Sequence, residues 1–409
     1  MSLGFLPLKS LASLHCRWKK ASLFGLPESS ALICSFFIAS LFFVIAGCSQ
    51  VSFRKDPNVE CQGAGAASCV NSDGTDNFDY MVKLNPGKVD ILFVNDNSAS
   101  MSWEQARIAE RFGNFVQQLE GTGLDYRIGM ITTDVSSSSN PPRAVNQNGS
   151  LQDGKLISFS SSLKFLSSDV LTLNERVNLF SSAMKRSETL SCESFIRSWR
   201  NSGRSIYSTE YATLYKESCP SGDERGTYAA TLAIRANESG FIRQDGSMVV
   251  IFVSDEDVRS QLYSPYGAGY DLESNDQPDT LIAEFRNRFP IKALVSHAIV
   301  TTDECLSEQN NQIPGVISGS TGVVYDQLAK RTSGRTISIC SSNYTTQLGI
   351  IAEDIIARSR DVTLKCANPQ SVIVTPSTLN FTLSGRILRF ASNTPFNTDI
   401  RIQEACSSR

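Results

Sequence analysis

Residues 89–100 read Val89-Asp90-Ile91-Leu92-Phe93-Val94-Asn95-Asp96-Asn97-Ser98-Ala99-Ser100. The first six make a short, nearly continuous apolar run, the pattern of a strand covered on both faces. Directly after it come Asp96, Ser98 and Ser100, whose carboxylate and hydroxyl side chains offer oxygen. Ile108, Phe112, Phe115 and Leu119 then recur at three- and four-residue steps, which marks one face of an amphipathic helix over 101–119. Gly121-Thr122-Gly123 ends it, and residues 126–133 read as a second strand. Strand, helix and strand in about 45 residues make a βαβ unit, so the sheet is expected to be parallel with a right-handed crossover.

The same alternation continues outward. Met248-Val249-Val250-Ile251-Phe252-Val253 is the clearest buried strand in the chain, and it runs into Ser254-Asp255-Glu256-Asp257. Further strands are expected at 291–300 and, at an edge, 336–340. Helices are expected at 174–185, 228–237, 281–289, 324–330 and up to about residue 360, where Leu348, Ile351 and Ile355 mark the apolar face. Residues 135–170 are less regular, with a surface loop at 136–142. The stretch 187–220 carries Cys192 and Cys219 and has weak periodicity, so it reads as a disulfide-bounded insertion. Residues 259–278 form a long loop with Tyr263, Tyr266 and Tyr270. Over 88–361 the pattern predicts a doubly wound α/β fold, its mostly parallel sheet flanked by helices. The tail differs. Short β-type runs at 371–375, 379–383, 387–390 and 399–402 predict a small C-terminal β appendage.

Composition narrows the chemistry. The 409 residues hold 38 Lys+Arg, 41 Asp+Glu, 11 Cys and 2 His, for a net charge of −3. There is no basic excess for a nucleic-acid groove. Lys9, Arg17, Lys19 and Lys20 precede an uncharged apolar stretch at 31–47 that ends in Ile45-Ala46-Gly47-Cys48. Small residues before a cysteine resemble a bacterial lipobox. That resemblance implies a signal peptide over 1–47, lipidation of Cys48 and a membrane held through the lipid. Ser49 at the next position favours the outer membrane of a cell envelope. A plain signal peptide or an uncleaved anchor are the competing readings. The leader holds four basic and one acidic side chain, so processing leaves 34 basic against 40 acidic, net −6.

Processing also removes Cys16 and Cys34, which leaves Cys61, Cys69, Cys192, Cys219, Cys305, Cys340, Cys366 and Cys406. An even number in an exported chain reads as disulfides, and pairing of nearest neighbours is the expectation. No Cys-x-x-Cys occurs and one His remains, so zinc clusters and thiol redox sites are disfavoured. The organisation expected is a leader at 1–47, a tether at 48–85, the α/β domain at 86–362 with its insertion near 187–222, and the β appendage at 363–409.

Ligands of open α/β sheets bind beyond the carboxyl ends of the strands. Asp96, Ser98, Ser100 and Asp255 stand at two such ends, and Gly226-Thr227 opens a helix between them. Hydroxyl and carboxylate oxygens suit a hard divalent cation. Here the sequence resembles the von Willebrand factor type A family, whose metal-ion-dependent adhesion site is Asp-x-Ser-x-Ser, a later Thr and a later Asp. The resemblance covers about 88–361. It implies Asp96, Ser98, Ser100, Thr227 and Asp255 as the site, with Mg²⁺, or Mn²⁺ or Ca²⁺, as the ion. Ser98 and Ser100 would then hold the ion directly. Asp96 and Asp255 would act mostly through water, and one position would be left for a partner's carboxylate. The chain departs from the pattern at Glu256 and Asp257, where Gly is usual after the last Asp, and Thr231 competes with Thr227.

Bland readings stand beside these. Ser100 is well placed to cap the helix that follows. Asp257 reads better as a solvated loop acid than as a ligand. His297 lies within an apolar strand pattern and reads as structural. The function expected is a membrane-anchored lipoprotein that binds a protein or matrix ligand through the ion. An envelope scaffold with an idle metal site is the alternative, and a metal-dependent hydrolase comes behind both. No Gly-x-Ser-x-Gly elbow or phosphate loop is present, so the chain is expected not to be an enzyme.

Overall fold

Alternate residues of the 89–94 run face opposite ways. Val89, Ile91 and Phe93 enter one apolar cluster, Leu92 and Val94 a second, and none is more than 1% exposed. A strand buried on both faces needs no polar alternation, so the run is nearly continuous. The computed structural model describes residues 69–70, 76–84, 87–135, 153–220, 224–258, 272–290, 292–312, 319–366, 368–391, 394–395 and 397–406.

This run is β3 (Lys88–Asn95), the third strand after β1 (Cys69–Val70) and β2 (Asp76–Leu84). Helix α1 (Ser102–Glu120) leads to β4 (Asp125–Thr132) and the two-residue β5 (Leu166–Ser167). Four helices follow: α2 (Leu173–Met184), α3 (Ser187–Asn201), α4 (Thr209–Ser218) and α5 (Gly226–Ala236). After β6 (Ser247–Ser254) come α6 (Pro278–Arg288), β7 (Leu294–Val300), α7 (Leu306–Gln312), α8 (Val323–Arg331), β8 (Thr336–Ser338) and α9 (Tyr344–Arg358).

Among the described residues the main sheet runs β5-β4-β3-β6-β7-β8. Counted within the sheet, that is strand order 3-2-1-4-5-6, the doubly wound arrangement. Every pairing is parallel except β4 with β5 at the edge. The expected doubly wound, mostly parallel sheet is therefore present. Helices α1, α2 and α9 cover one face with Phe112, Phe115, Phe180 and Ile351, and α5, α6 and α8 cover the other with Ile234, Phe285 and Leu328. The Phe93 ring meets those of Phe112, Phe115 and Phe180 edge-on, at centroid distances of 6.1, 6.1 and 4.9 Å.

The amino ends of the strands carry a buried ion cluster. Asp90, fully buried, accepts from Arg243 Nε at 2.8 Å, and Lys292 Nζ lies 3.4 Å away. Arg243 also reaches Asp125 at 2.6 Å. Charge here is paired, as burial demands.

The stretch 187–220 holds two helices, α3 and α4, joined by the Cys192–Cys219 disulfide. Its weak amphipathic signal follows from the small number of residues it buries. Ala99, Cys192, Ile196 and Cys219 form a separate small cluster against the turn after β3. Cys305–Cys340 and Cys366–Cys406 are also bonded, as nearest-neighbour pairing predicts. The Cys61–Cys69 pairing, the Cys48 lipidation site, the leader and the tyrosines at 263, 266 and 270 lie outside the described residues or side chains. Among the described residues no helix is long and apolar enough to cross a membrane.

The tail forms β9 (Asp361–Thr363), β10 (Pro369–Thr375), β11 (Phe381–Ser384), β12 (Ile387–Phe390) and β13 (Thr398–Cys406). One correction concerns the tether. Residues 76–84 are not linker: as β2 they pair antiparallel with β13, Leu84 with Thr398 through Asn77 with Ala405. Sheets β1-β2-β13-β10 and β11-β12-β9 enclose Leu84, Leu364, Val374, Leu388, Phe390, Ile400 and Ile402. The appendage is thus built from both sides of the α/β unit.

Candidate metal centre

The sheet reverses direction of growth between β3 and β6. Asn95 pairs with Val253, so the residues that follow, Asp96 and Ser254, emerge side by side at the carboxyl edge. Such a switch point opens a crevice between the strands. Asp96 N–H donates to the Val253 carbonyl at 2.9 Å, which stitches the first loop to the neighbouring strand. Its carboxylate accepts from Ser98 N–H at 2.8 Å and from Ser254 Oγ at 2.6 Å.

The two serines are turned inward. Ser98 Oγ lies 3.0 Å from Ser100 Oγ, and Ser100 Oγ donates to Asp255 Oδ1 at 3.1 Å. Neither serine caps the helix: α1 begins after Met101 with no side-chain cap. The capping alternative for Ser100 is thereby set aside. Asp255 is held at both ends, its carbonyl by Thr301 Oγ1 at 2.8 Å and its Oδ2 by Gln309 Nε2 at 3.0 Å. The same Gln309 amide reaches Glu104 Oε1 at 3.1 Å. Gln309 sits on α7, whose first turn the Cys305–Cys340 bond fixes.

Thr227 is fully buried in the first turn of α5, and its hydroxyl donates to the Asp276 carbonyl at 2.7 Å. Donation leaves the oxygen lone pairs available. Thr231, the competing threonine, bonds back to the Thr227 carbonyl at 2.9 Å, one turn down its own helix. The start of α5 reaches Asp96 through Glu224, whose side chain contacts the Asp96 carboxylate. Arg225, fully buried, pins the same turn to Asp276 at 2.7 Å and Glu273 at 3.1 Å.

Asp257 is a correction in part. It is no solvated loop acid, since its Oδ1 accepts from Val324 N–H at 2.9 Å at the start of α8. Burial pushes its carboxyl up to about 6. His297 is structural: Nδ1 accepts from Arg335 N–H at 3.2 Å, Nε2 faces Asp354 at 3.5 Å, and burial lowers its pKa to about 4.

Electrostatics sets the test of fit. Burial raises the Asp96 carboxyl, and burial with the Asp96 and Glu104 charges raises Asp255 well above the ordinary range. Burial lifts Glu104 to about 7. Glu224 is raised by burial first, then by Asp96 and Glu256. These carboxylates repel one another, and Glu104 Oε2 and Glu224 Oε1 have no hydrogen-bond donor. A divalent cation removes that conflict. Among the described residues no group of three or more His, Cys, Asp or Glu stands as a ligand set by itself; Ser98, Ser100 and Thr227 add hydroxyl oxygens beside the Asp96 and Asp255 carboxylates. The donor set fits a hard ion.

Sequence reading missed the supports: Gln105, which donates to the Asp96 carbonyl at 2.8 Å; Thr189 of α3, which donates to the Asn97 carbonyl at 2.8 Å; Gln309; and Glu224. Glu224 had a signal, standing three residues before Thr227; the others had none.

No family model matches the sequence, and no curated protein does. Solved structures with some likeness include the pilus adhesin SpaC from Lactobacillus rhamnosus GG, at 13% identity over 81% of this chain and 41% of that one, TM-score 0.33. A von Willebrand factor type A protein from Catenulispora acidiphila matches at 10% identity over 84% of this chain and 62% of that one, TM-score 0.32. Proximal thread matrix protein 1 from the mussel byssus, in a form with a zinc-occupied MIDAS motif, matches at 12% identity over 70% and 52%, TM-score 0.30. The chain spans less than two thirds of the length of each. The fold rests on the strand order itself. With Asp-x-Ser-x-Ser after the first strand of the sheet and Asp255 after the fourth, meeting at the switch point, the chain is a doubly wound α/β fold whose site resembles the von Willebrand factor type A pattern.

Proposed function

We propose that the protein is a binding module that holds a divalent cation at Asp96, Ser98, Ser100, Thr227 and Asp255 and uses it to grip a protein or matrix ligand. The observation that carries this reading is the Ser98–Ser100–Asp255 chain of oxygens beside Asp96, at the carboxyl ends of adjacent strands. Mg²⁺ is the ion the donor set suits best, because it prefers oxygen and keeps several waters. When bound, the ion supplies a Lewis acid that a carboxylate of the partner can meet.

The protein's own residues do the positioning. Gln105 and Thr189 fix the loop carbonyls, Gln309 fixes Asp255, and Ser254 fixes Asp96. Ser98 is 9% exposed while Asp96 and Asp255 are fully buried, so access is from the serine side. Binding rather than catalysis is the reading, since His297 is engaged in the core by Arg335 and Asp354. The anchor proposed is lipid on Cys48, in the outer membrane of a cell envelope.

Calorimetric titration of Mg²⁺ and Mn²⁺ into wild type and the Asp96→Ala, Asp255→Ala double mutant tests the site. Saturable heat in the wild type alone is expected, and equal heats sink the reading. Capture of envelope proteins with and without chelator then tests the role of the ion.

A further inference from the structure

Glu224 stands just before α5 with φ +35°, a left-handed conformation that a non-glycine residue adopts at a cost. Its side chain is 1% exposed. Oε2 accepts from Thr133 Oγ1 at 2.5 Å, at the end of β4. Oε1 meets no N–H or O–H donor. It belongs instead to a carboxyl that contacts the Asp96 carboxylate, with Glu256 and Asp134 adding negative field. A buried acid is normally paired or hydrogen-bonded at both oxygens. Two acids in contact need either a shared proton or a cation between them.

We infer that Glu224 is a further carboxylate ligand of the divalent ion held by Asp96, Ser98, Ser100 and Asp255. The inference rests on the metal-binding reading above and deepens it. The Asp-x-Ser-x-Ser pattern does not contain this residue; here it comes from the loop that delivers Thr227. Its backbone strain and its Thr133 bond hold the carboxyl inward, and the orphaned oxygen is the donor left for the ion. Glu224 then adds its charge to those of Asp96 and Asp255 near the cation, beside the serine and threonine hydroxyls. An outside carboxylate then meets an ion that already carries Glu224.

The experiment uses Mn²⁺ alone as probe on the wild-type protein, Glu224→Gln, Glu224→Asp and Thr133→Val. Affinity is read by electron paramagnetic resonance, bound water by proton relaxation, and fold by circular dichroism. Glu224→Gln is expected to weaken Mn²⁺ at least about tenfold, the lower end of what losing even an outer-shell partner costs. It is also expected to add one exchangeable water to the bound ion. Glu224→Asp and Thr133→Val should weaken Mn²⁺ with the fold intact, which serves if Glu224→Gln does not fold. Wild-type affinity and water count in the folded variants overturn the inference while leaving the site reading standing. Failure of the wild type to bind Mn²⁺ overturns both.

Discussion

Ser100 Oγ and Asp255 Oδ1 lie 3.1 Å apart although 155 residues separate them in the chain. One follows β3 and the other follows β6, so the contact exists only because those strands are neighbours at the switch point. A ligand that binds across it should report on the whole sheet. At an ion concentration one hundred times the dissociation constant, the folded state gains about 2.7 kcal/mol. Wild type should show that as a raised melting temperature with Mg²⁺ or Mn²⁺, and Ser100→Ala should lose most of the increment. An equal increment in the mutant contradicts a role for this hydroxyl.

Without added ion, stability should fall with rising pH. Glu104 is raised to about 7 and Asp257 to about 6, with Asp96, Glu224 and Asp255 also raised. A carboxyl whose pKa is higher in the folded state stabilises the fold below its unfolded value, near 4, and that contribution is lost as pH climbs through the folded value. Chelated protein should therefore melt higher at pH 5 than at pH 8. Saturating divalent ion should flatten or reverse the trend. Thermal melts across this range, with chelator and with ion, check the sign.

At the opposite end of the sheet, Arg243→Ala should be costly. Asp90 is fully buried, and Arg243 holds it through both side chain and backbone N–H at 2.8 Å. Stranding a buried charge costs about 3–5 kcal/mol. Replacing Asp90 by Asn in the same background should recover part of it. Urea unfolding of the single and double variants measures both.

Gly226 presses on Tyr325. A Cβ at residue 226 would overlap the buried Tyr325 Oη. Gly226→Ala should destabilise by about 1–3 kcal/mol, the range of overpacking, and Tyr325→Phe should relieve it in the double variant. Additive losses would contradict the contact.

The Cys192–Cys219 bond closes 27 residues of chain over the turn that carries Ala99. Removing it with paired alanines should cost about 2–4 kcal/mol. Because Thr189 also holds the Asn97 carbonyl, ion affinity should drop along with stability. Melting curves and Mn²⁺ titration of the variant read the two effects.

Much of the fold is written locally. The runs at 89–94 and 248–253 specify buried strands by themselves, and Asp96, Ser98, Ser100 and Asp255 announce the site because they sit at strand ends. What the sequence hides is long-range. Gln309 and Thr189 reach the site through ordinary polar side chains on helices that no period marks. Strand β5 has two residues, too few to show alternation, and its antiparallel pairing with β4 lies in the stretch 135–170 that read as irregular. Segment 76–84 read as tether because its partner lies at the far end of the chain. Val82 and Tyr80 make sense only opposite Ile400 and Ile402.

That pairing fixes an order of events during synthesis. Strand β2 is made before the α/β unit, but its partner β13 is made after it, ending at Cys406. The α/β unit can close on nearby contacts, while β2 lacks the neighbour it pairs with from Asn77 to Leu84 until β13 is made. Bringing strands together across so long a stretch is slow on entropic grounds, and a waiting edge invites the wrong neighbour. A preformed α/β unit shortens that search, because the chain just before β3 and the chain just after α9 then leave one folded body. Loss of the last strand should thus leave the ion site formed and the protein prone to self-association through β2.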